Sequence, residues 1–301
     1  MDVSNADRVV FPDDGITKGE VVAYYALVGP RLFPFVEGRA LTVQRYPRGI
    51  GEEGFMQKNA PDHYPEELFD RHSVPKEDGG TTVYPVARHL DALPYLANQG
   101  VITFHVPPVT ADDPDHPDWV VWDLDPPSGG LDVVRKAALA LRSVLEDHEI
   151  ATVPMTSGSK GYHLRVQIRT SLDAEVVAET ARGVAALAVE AHPDLMTLAF
   201  KKADRGERVF VDWLRNHPYS TAVAPWSLRA RSGATVAVPL SWDEVDDIAP
   251  DGVGLYDIGE RLELDPWEDL EPIDLSAAVR SVASALKEAG ITLEPFDRFR
   301  S

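Results

Sequence analysis

Trp119-Val-Val-Trp-Asp-Leu-Asp-Pro-Pro127 decides how the rest of the chain is read: an apolar run that ends in two carboxylates, Asp123 and Asp125. In an extended strand alternate side chains share a face, so these two project together while Trp122 and Leu124 point the other way. Pro126 and Pro127 lack the N–H that a central strand needs, which puts the pair at the strand's end, where the chain leaves the sheet. Such a pair suits a hard divalent cation, Mg²⁺ or Mn²⁺, which takes one or two carboxylates plus substrate phosphates. It equally suits two loop-entry aspartates capping the next helix, so the motif alone leaves both readings open.

After the aspartates, Leu131, Val134, Ala138, Leu141 and Leu145 recur at the spacing of an amphipathic helix over 131–146. Ser157-Gly-Ser-Lys-Gly161 then reads either as a simple hairpin turn or as an anion nest, with its hydroxyls, backbone N–H groups and Lys160. It lacks the spacing of a P-loop. Tyr162, Leu164, Val166 and Ile168 alternate with His163, Arg165 and Gln167, which predicts a strand with one apolar and one polar face. A helix is predicted over 172–190, then Arg208-Val-Phe-Val-Asp-Trp-Leu214, a strand that carries Asp212 among apolar neighbours, where a carboxylate is costly unless paired or metal-bound. A final helix is predicted over 274–289, with Gly290 as its stop.

Upstream, Thr17-Lys-Gly-Glu20 is a capping box that opens a helix expected to close at Gly29-Pro30, near Val28. Arg8 and Lys18 flank its start, where free helix N–H groups attract anions, although ordinary entry-turn charges would look the same. Ala40 to Tyr46 alternates as a strand, and Phe55-Met56 follows as either core or an exposed stacking platform. Val101 to Val106 is a further strand carrying His105.

The chain has 301 residues, 44% of them hydrophobic, enough for a substantial core, and no cysteine, so any metal rests on oxygen or histidine. No apolar leader follows Met1 and no run approaches the roughly 18 apolar residues of a membrane span, so the expectation is a soluble cytoplasmic protein. The formal charge of −20 is unevenly spread. Residues 243–301 carry 16 acidic and 5 basic groups, whereas 195–235 carry 7 basic and 3 acidic ones. A locally basic groove in an acidic body is compatible with a polyanionic substrate.

Three strand carboxylates, two histidines, a Gly/Ser/Lys turn and an arginine-rich face are the parts that phosphoryl transfer requires. In combination, Asp123-Leu-Asp-Pro-Pro127, Ser157-Gly-Ser-Lys-Gly-Tyr-His163, Val209-Phe-Val-Asp-Trp213 and Ala224-Pro-Trp-Ser-Leu-Arg229 resemble the archaeo-eukaryotic primase superfamily. They are most similar to the polymerase domain of bacterial ligase D and its stand-alone relatives, the primase-polymerases of end joining and gap repair. The resemblance implies an α/β (α+β) catalytic core with an RRM-like mixed or antiparallel sheet flanked by helices. One domain would span 1–301: a 5′-phosphate-binding part to about residue 100, a catalytic core to about 240 and an acidic C-terminal part.

It further implies metal ligands and catalytic residues at Asp123, Asp125 and Asp212, for two Mn²⁺ or Mg²⁺ ions. Nucleotide contacts would fall on His105, Ser157, Lys160, His163 and Arg229. A pocket for a downstream DNA 5′-phosphate would fall on Asn5, Arg8 and Lys18, with Arg8 where end-joining members usually have lysine. Phe55 and Met56 stand where a pair of phenylalanines stacks on the template, and Arg215 where relatives carry a neutral amide near the primer. The implied activity is template-dependent nucleotide addition to a primer 3′-hydroxyl, ribonucleotides preferred, filling short gaps at 5′-phosphorylated DNA ends in the bacterial nucleoid. A separate DNA ligase and an end-binding protein would be partners.

Two other classes share some of these features. A haloacid-dehalogenase-like phosphatase also places Asp-x-Asp after an apolar strand, but the Gly-Thr that should follow is here Pro126-Pro127. A non-catalytic DNA-end-bridging module would use the same basic groove, yet three carboxylates there would repel phosphate unless a metal intervened.

Overall fold

The computed structural model describes residues 2–76, 79–169 and 171–294; the end of the acidic C-terminal part, 295–301, lies outside them. The chain starts with a short hairpin, β1 (Val9–Phe11) and β2 (Ile16–Thr17), and enters α1 (Lys18–Val36) through the expected capping box. Thr17 Oγ1 accepts from Glu20 N at 3.3 Å and a Glu20 carboxylate oxygen accepts from Thr17 N at 2.8 Å. β3 (Thr42–Arg45) and β4 (Phe55–Gln57) follow, then a long hairpin of β5 (Phe69–Pro75) and β6 (Thr81–Ala87), and α2 (Ala92–Asn98) leads to β7 (Val101–Val106).

The apolar run that ends in Asp123 and Asp125 is β8 (Trp119–Asp125). After it come α3 (Leu131–Asp147), β9 (Val153–Thr156), β10 (Tyr162–Gln167), α4 (Ala174–Ala191), β11 (Met196–Thr197), β12 (Val209–Asp212) and β13 (Ala222–Val223). Two further helices, α5 (Ile258–Leu262) and α6 (Ser276–Glu288), complete the fold. β8 lies at the centre of a five-stranded sheet ordered β11-β12-β8-β10-β9, antiparallel except for the β11–β12 pair. A second sheet, β13-β7-β3-β4, is wholly antiparallel. The expected mixed α/β core with helix-flanked sheets is what the chain forms.

The alternation in β8 sorts the two faces of its sheet. Trp122 and Leu124 are fully buried on the helix side, and the Trp122 indole N–H donates to Ala181 O of α4 at 2.9 Å. Val134, Leu141 and Leu145 of α3 and Val177 and Val184 of α4 are buried in the same core. The opposite face carries Asp123, with His163 of β10 as its register partner on one side and Asp212 of β12 on the other. Directly opposed residues share a face, so the pleat alone lines up Asp212, Asp123 and His163 in one row, with Asp125 one step along.

One boundary differs from expectation. α1 does not close at Gly29-Pro30 but runs on to Val36, with Pro30 and Pro34 inside it. Each proline forfeits a helical hydrogen bond, but Val28, Leu32 and Val36 are fully buried on one stripe, and that burial holds the helix together across the break. The long hairpin and α2 have no counterpart in the sequence reading. β5 exposes most of its side chains and β6 contains Pro85, so neither shows the alternation that reveals a half-buried strand.

Candidate active site

Asp212 is 3% exposed, and neither of its carboxylate oxygens is bare: Oδ1 accepts from Leu214 N at 2.9 Å and Oδ2 accepts from Arg215 Nη2 at 2.6 Å. The Arg215 Nε lies 3.7 Å from Asp123 Oδ2, so one guanidinium spans both carboxylates. Asp123 Oδ1 is 3.3 Å from His163 Nε2. Asp125 is exposed at the strand's end, with Arg205 Nη1 3.7 Å away.

These surroundings pull the three carboxyls apart. Burial alone would raise Asp123, but the His163 ring, then Arg215 and Arg229, outweigh it and hold Asp123 below the ordinary carboxylate value. Partial burial raises even the half-exposed Asp125, reinforced by the neighbouring charge of Asp123 and opposed by Arg205. Burial also raises Asp212 against the pull of Arg215.

Asn216 fixes this corner. β12 ends at Asp212, and beyond it the fully buried Asn216 side chain takes the place of a strand: its Oδ1 accepts from Val121 N at 2.7 Å and its Nδ2 donates to Val121 O at 2.8 Å. The ladder beside β8 is thereby completed by a side chain, and Arg215, its immediate neighbour, is presented to the carboxylates.

The turn between β9 and β10 packs against the same strand end. A Cβ on Gly161 would lie 1.7 Å from Leu124 O, so only glycine lets the turn sit there, and Gly158, at φ +62, is hemmed in by Arg229 and Val236. Ser157 Oγ accepts from Ser159 N and Gly161 N, both at 3.2 Å, so it closes the turn itself and occupies two of the N–H groups expected to face an anion. The positive charge is supplied instead by side chains. Arg229 Nη1 donates to Ser157 O at 2.9 Å, Arg231 Nη1 donates to Ser159 Oγ at 2.9 Å, and Lys160 is exposed at the tip. Lys160 and Arg231 line a pocket of about 240 Å³ with Pro126, Gly130 and Asp251, immediately beyond Asp125.

His105, on the second sheet, closes the cleft from the other side. Burial, then the charges of Arg229, Arg215 and His163, push its ring down to about 3, so it is neutral at physiological pH. Among the described residues its Nδ1 and that of His163 are buried without a hydrogen-bond partner. Asp123, Asp212, His163, His105, Arg229 and Ser157 are thus brought together, with Asp125 at the strand's end, while Lys160 lies at the tip of the turn on the adjoining pocket.

Two expected groups lie elsewhere. Asn5, Arg8 and Lys18 meet at the start of α1, where Lys18 is buried and its Nζ donates to Ser4 O at 2.7 Å and Ser4 Oγ at 2.8 Å. Burial and the nearby Arg8 lower the Lys18 pKa. The free helix N–H groups expected here are absent: Lys18 N donates to Arg8 O, Gly19 N to Ala6 O and Glu20 N to Thr17 Oγ1. The positive charge at this end is that of the two side chains, and Arg8 Nε is buried with no partner among the described residues. Phe55 and Met56 are about half exposed on β4, and as consecutive strand residues they point to opposite faces. Arg45 covers Phe55 at 5.6 Å, whereas Met56 lines a groove of about 480 Å³ with Lys58, Tyr84 and Tyr219.

Residues 17–268 match the family described as LigD, primase-polymerase domain. The chain belongs to the LigD primase-polymerase domain family, a family of nucleotidyltransferases. It is 34% identical over 300 residues, 97% of its length, to the multifunctional non-homologous end joining protein LigD of Mycolicibacterium smegmatis. It is 31% identical over 247 residues to the bifunctional LigD of Bacillus subtilis. In both cases it spans 39% of the relative's length. Its structure matches the polymerase domain of Mycobacterium tuberculosis ligase D in complex with DNA, with a TM-score of 0.82 and 32% identity, covering 90% of this chain and 97% of that one.

Primase-polymerase domains are generally metal-dependent, and the donor set of this one suits a hard cation: three carboxylates on one face of a sheet, two of them register partners. As the side chains stand, no group of three or more His, Asp or Glu among the described residues is gathered closely enough to hold an ion. Arg215 lies against Asp123 and Asp212, and Arg205 lies 3.7 Å from Asp125. In this primase-polymerase domain neither that bridge nor the contacts of Arg205 and Arg231 is apparent from the sequence. A cation three residues after a strand carboxylate, Asp212-x-x-Arg215, was the available signal. No helix among the described residues is long and apolar enough to cross a membrane.

Proposed function

We propose that this domain is a template-dependent polymerase that adds nucleotides, ribonucleotides by preference, to a primer 3′-hydroxyl at short gaps bearing a downstream 5′-phosphate. The observation that carries this reading is that Arg229, which holds the Ser157–Lys160 turn, stands close enough to the Asp123–Asp212–His163 row for its charge to act on Asp123. One part is acidic and suited to metal; the other is cationic and suited to a triphosphate.

In the reaction the primer 3′-hydroxyl gives up its proton, to Asp212 or to water, and its oxygen attacks the α-phosphate in line. A new P–O bond forms, the bond from the α-phosphorus to the α–β bridging oxygen breaks, and pyrophosphate leaves. Lys160 and Arg231 neutralise the departing charge, and Arg229 holds the turn that presents them. His105, kept neutral, can donate or accept a hydrogen bond to the bound nucleotide without adding charge. Asp123, Asp125 and Asp212 would hold two Mn²⁺ or Mg²⁺ ions, whose charge favours the ionised hydroxyl and offsets the charge on phosphate. Arg8, Lys18 and Asn5 would hold the 5′-phosphate at the far side of a gap. A separate ligase and an end-binding protein would complete such a repair.

The test is primer extension on gapped duplexes with and without the 5′-phosphate, comparing ribo- and deoxynucleoside triphosphates in Mn²⁺ and Mg²⁺. The expected order is faster extension with ribonucleotides, with Mn²⁺ and on the phosphorylated gap. Absence of extension under every condition would contradict the reading.

A further inference from the structure

We infer that the Arg215 guanidinium occupies the space between Asp123 and Asp212 that a cation held by these carboxylates would enter, so that metal binding would be an exchange in which Arg215 must leave. The inference rests on the reading of these aspartates as metal ligands. Three observations carry it. The guanidinium contacts both carboxylates at once, Asp212 Oδ2 at 2.6 Å and Asp123 Oδ2 at 3.7 Å, across the register pair. Its backbone position is set by Asn216, which is clamped to Val121, so the contact is built into the fold. A second acceptor stands ready, because Arg215 Nη1 already reaches Thr221 O at 3.4 Å, and the side chain is 37% exposed at the cleft mouth, so it has room to withdraw.

Arg215 therefore balances the carboxylates when no ion is bound, and it lowers the affinity for the ion in two ways. The ion must break a charge-assisted bond, and it meets a positive charge nearby. A neutral amide at position 215 would do neither.

The experiment is titration of the DNA-free and nucleotide-free protein with Mn²⁺, followed by the electron paramagnetic resonance signal of the free ion, together with melting temperatures with and without Mn²⁺. Arg215→Gln is expected to bind Mn²⁺ about tenfold more tightly than the parent, to melt lower without the ion and to recover with it. Arg215→Lys, which keeps the charge but cannot span both carboxylates, is expected to gain less and serves if the glutamine variant does not fold. Unchanged Mn²⁺ affinity in both variants overturns the exchange, and if Asp123→Asn and Asp212→Asn still weaken binding, the metal site itself stands. Mn²⁺ binding indifferent to Asp123→Asn and Asp212→Asn would remove the metal site, and the exchange with it.

Discussion

Asp212 and Asp123 are register partners across the β12–β8 ladder. Directly opposed side chains in an antiparallel pair have Cβ atoms about 4.5–5.5 Å apart, so two like charges are forced together. Left alone they would repel, and the protein answers with Arg215 between them and His163 behind Asp123. Holding two carboxylates together in this way costs stability, which these two partners offset in part.

Removal of the Asn216 side chain should be expensive. Asn216→Ala strips the partners from Val121 N and Val121 O inside a buried ladder, at about 1–3 kcal/mol for each group left unsatisfied. Urea denaturation should show a loss of about 2–6 kcal/mol. A shift within about 0.5 kcal/mol, the range of an ordinary surface change, would mean that Asn216 does not complete the ladder.

Gly161→Ala drives a methyl into Leu124 O. The turn must move off the strand end, and overpacking of this kind costs about 1–3 kcal/mol or more. Thermal melting should show the loss, and retention of the parent's melting temperature would contradict the close approach.

The His105 ring supplies a pH signature. The unfolded ring takes a proton near 6.5, whereas the folded one resists it until about 3, so acidification through that window favours the unfolded chain. The parent should lose stability as pH falls from 6.5 towards 3, and His105→Gln should lose less. Parallel denaturation midpoints for the two proteins between pH 7 and pH 5 would argue that the ring is not held neutral.

Arg8→Ala/Lys18→Ala separates end binding from chemistry. Two charge-assisted contacts at about 1.5–3 kcal/mol each, reduced by solvent, translate to about one to two orders of magnitude in affinity for a 5′-phosphorylated gap. Binding should be compared at one salt concentration, since the interaction is ionic. Equal loss on duplexes lacking the phosphate would reassign these cations to general DNA contact.

The parts of this protein legible in sequence are those where periodicity and chemistry coincide. β8 ends where Pro126 requires, β7 spans the predicted residues, and the capping box at Thr17 forms. α1 outran its expected stop because burial of Leu32 and Val36 is a tertiary effect that the prolines do not announce. The pairing of Asp212 with Asp123 is likewise invisible locally, since nearly ninety positions separate them and only the strand register brings them together. Arg215 was legible as an unusual residue, but its seat depends on Asn216 replacing a strand, which no pattern of side chains encodes.

The most direct test of the central claim is the rate of single-nucleotide incorporation, at saturating Mn²⁺ and ribonucleoside triphosphate, by the parent and by Asp123→Asn, Asp125→Asn and Asp212→Asn. Each substitution removes a charged oxygen from the cluster while nearly preserving its shape, so each should slow incorporation by at least about a hundredfold while the protein melts at or above the parent's temperature. Full activity in any of the three would contradict the assignment of these aspartates as the catalytic centre.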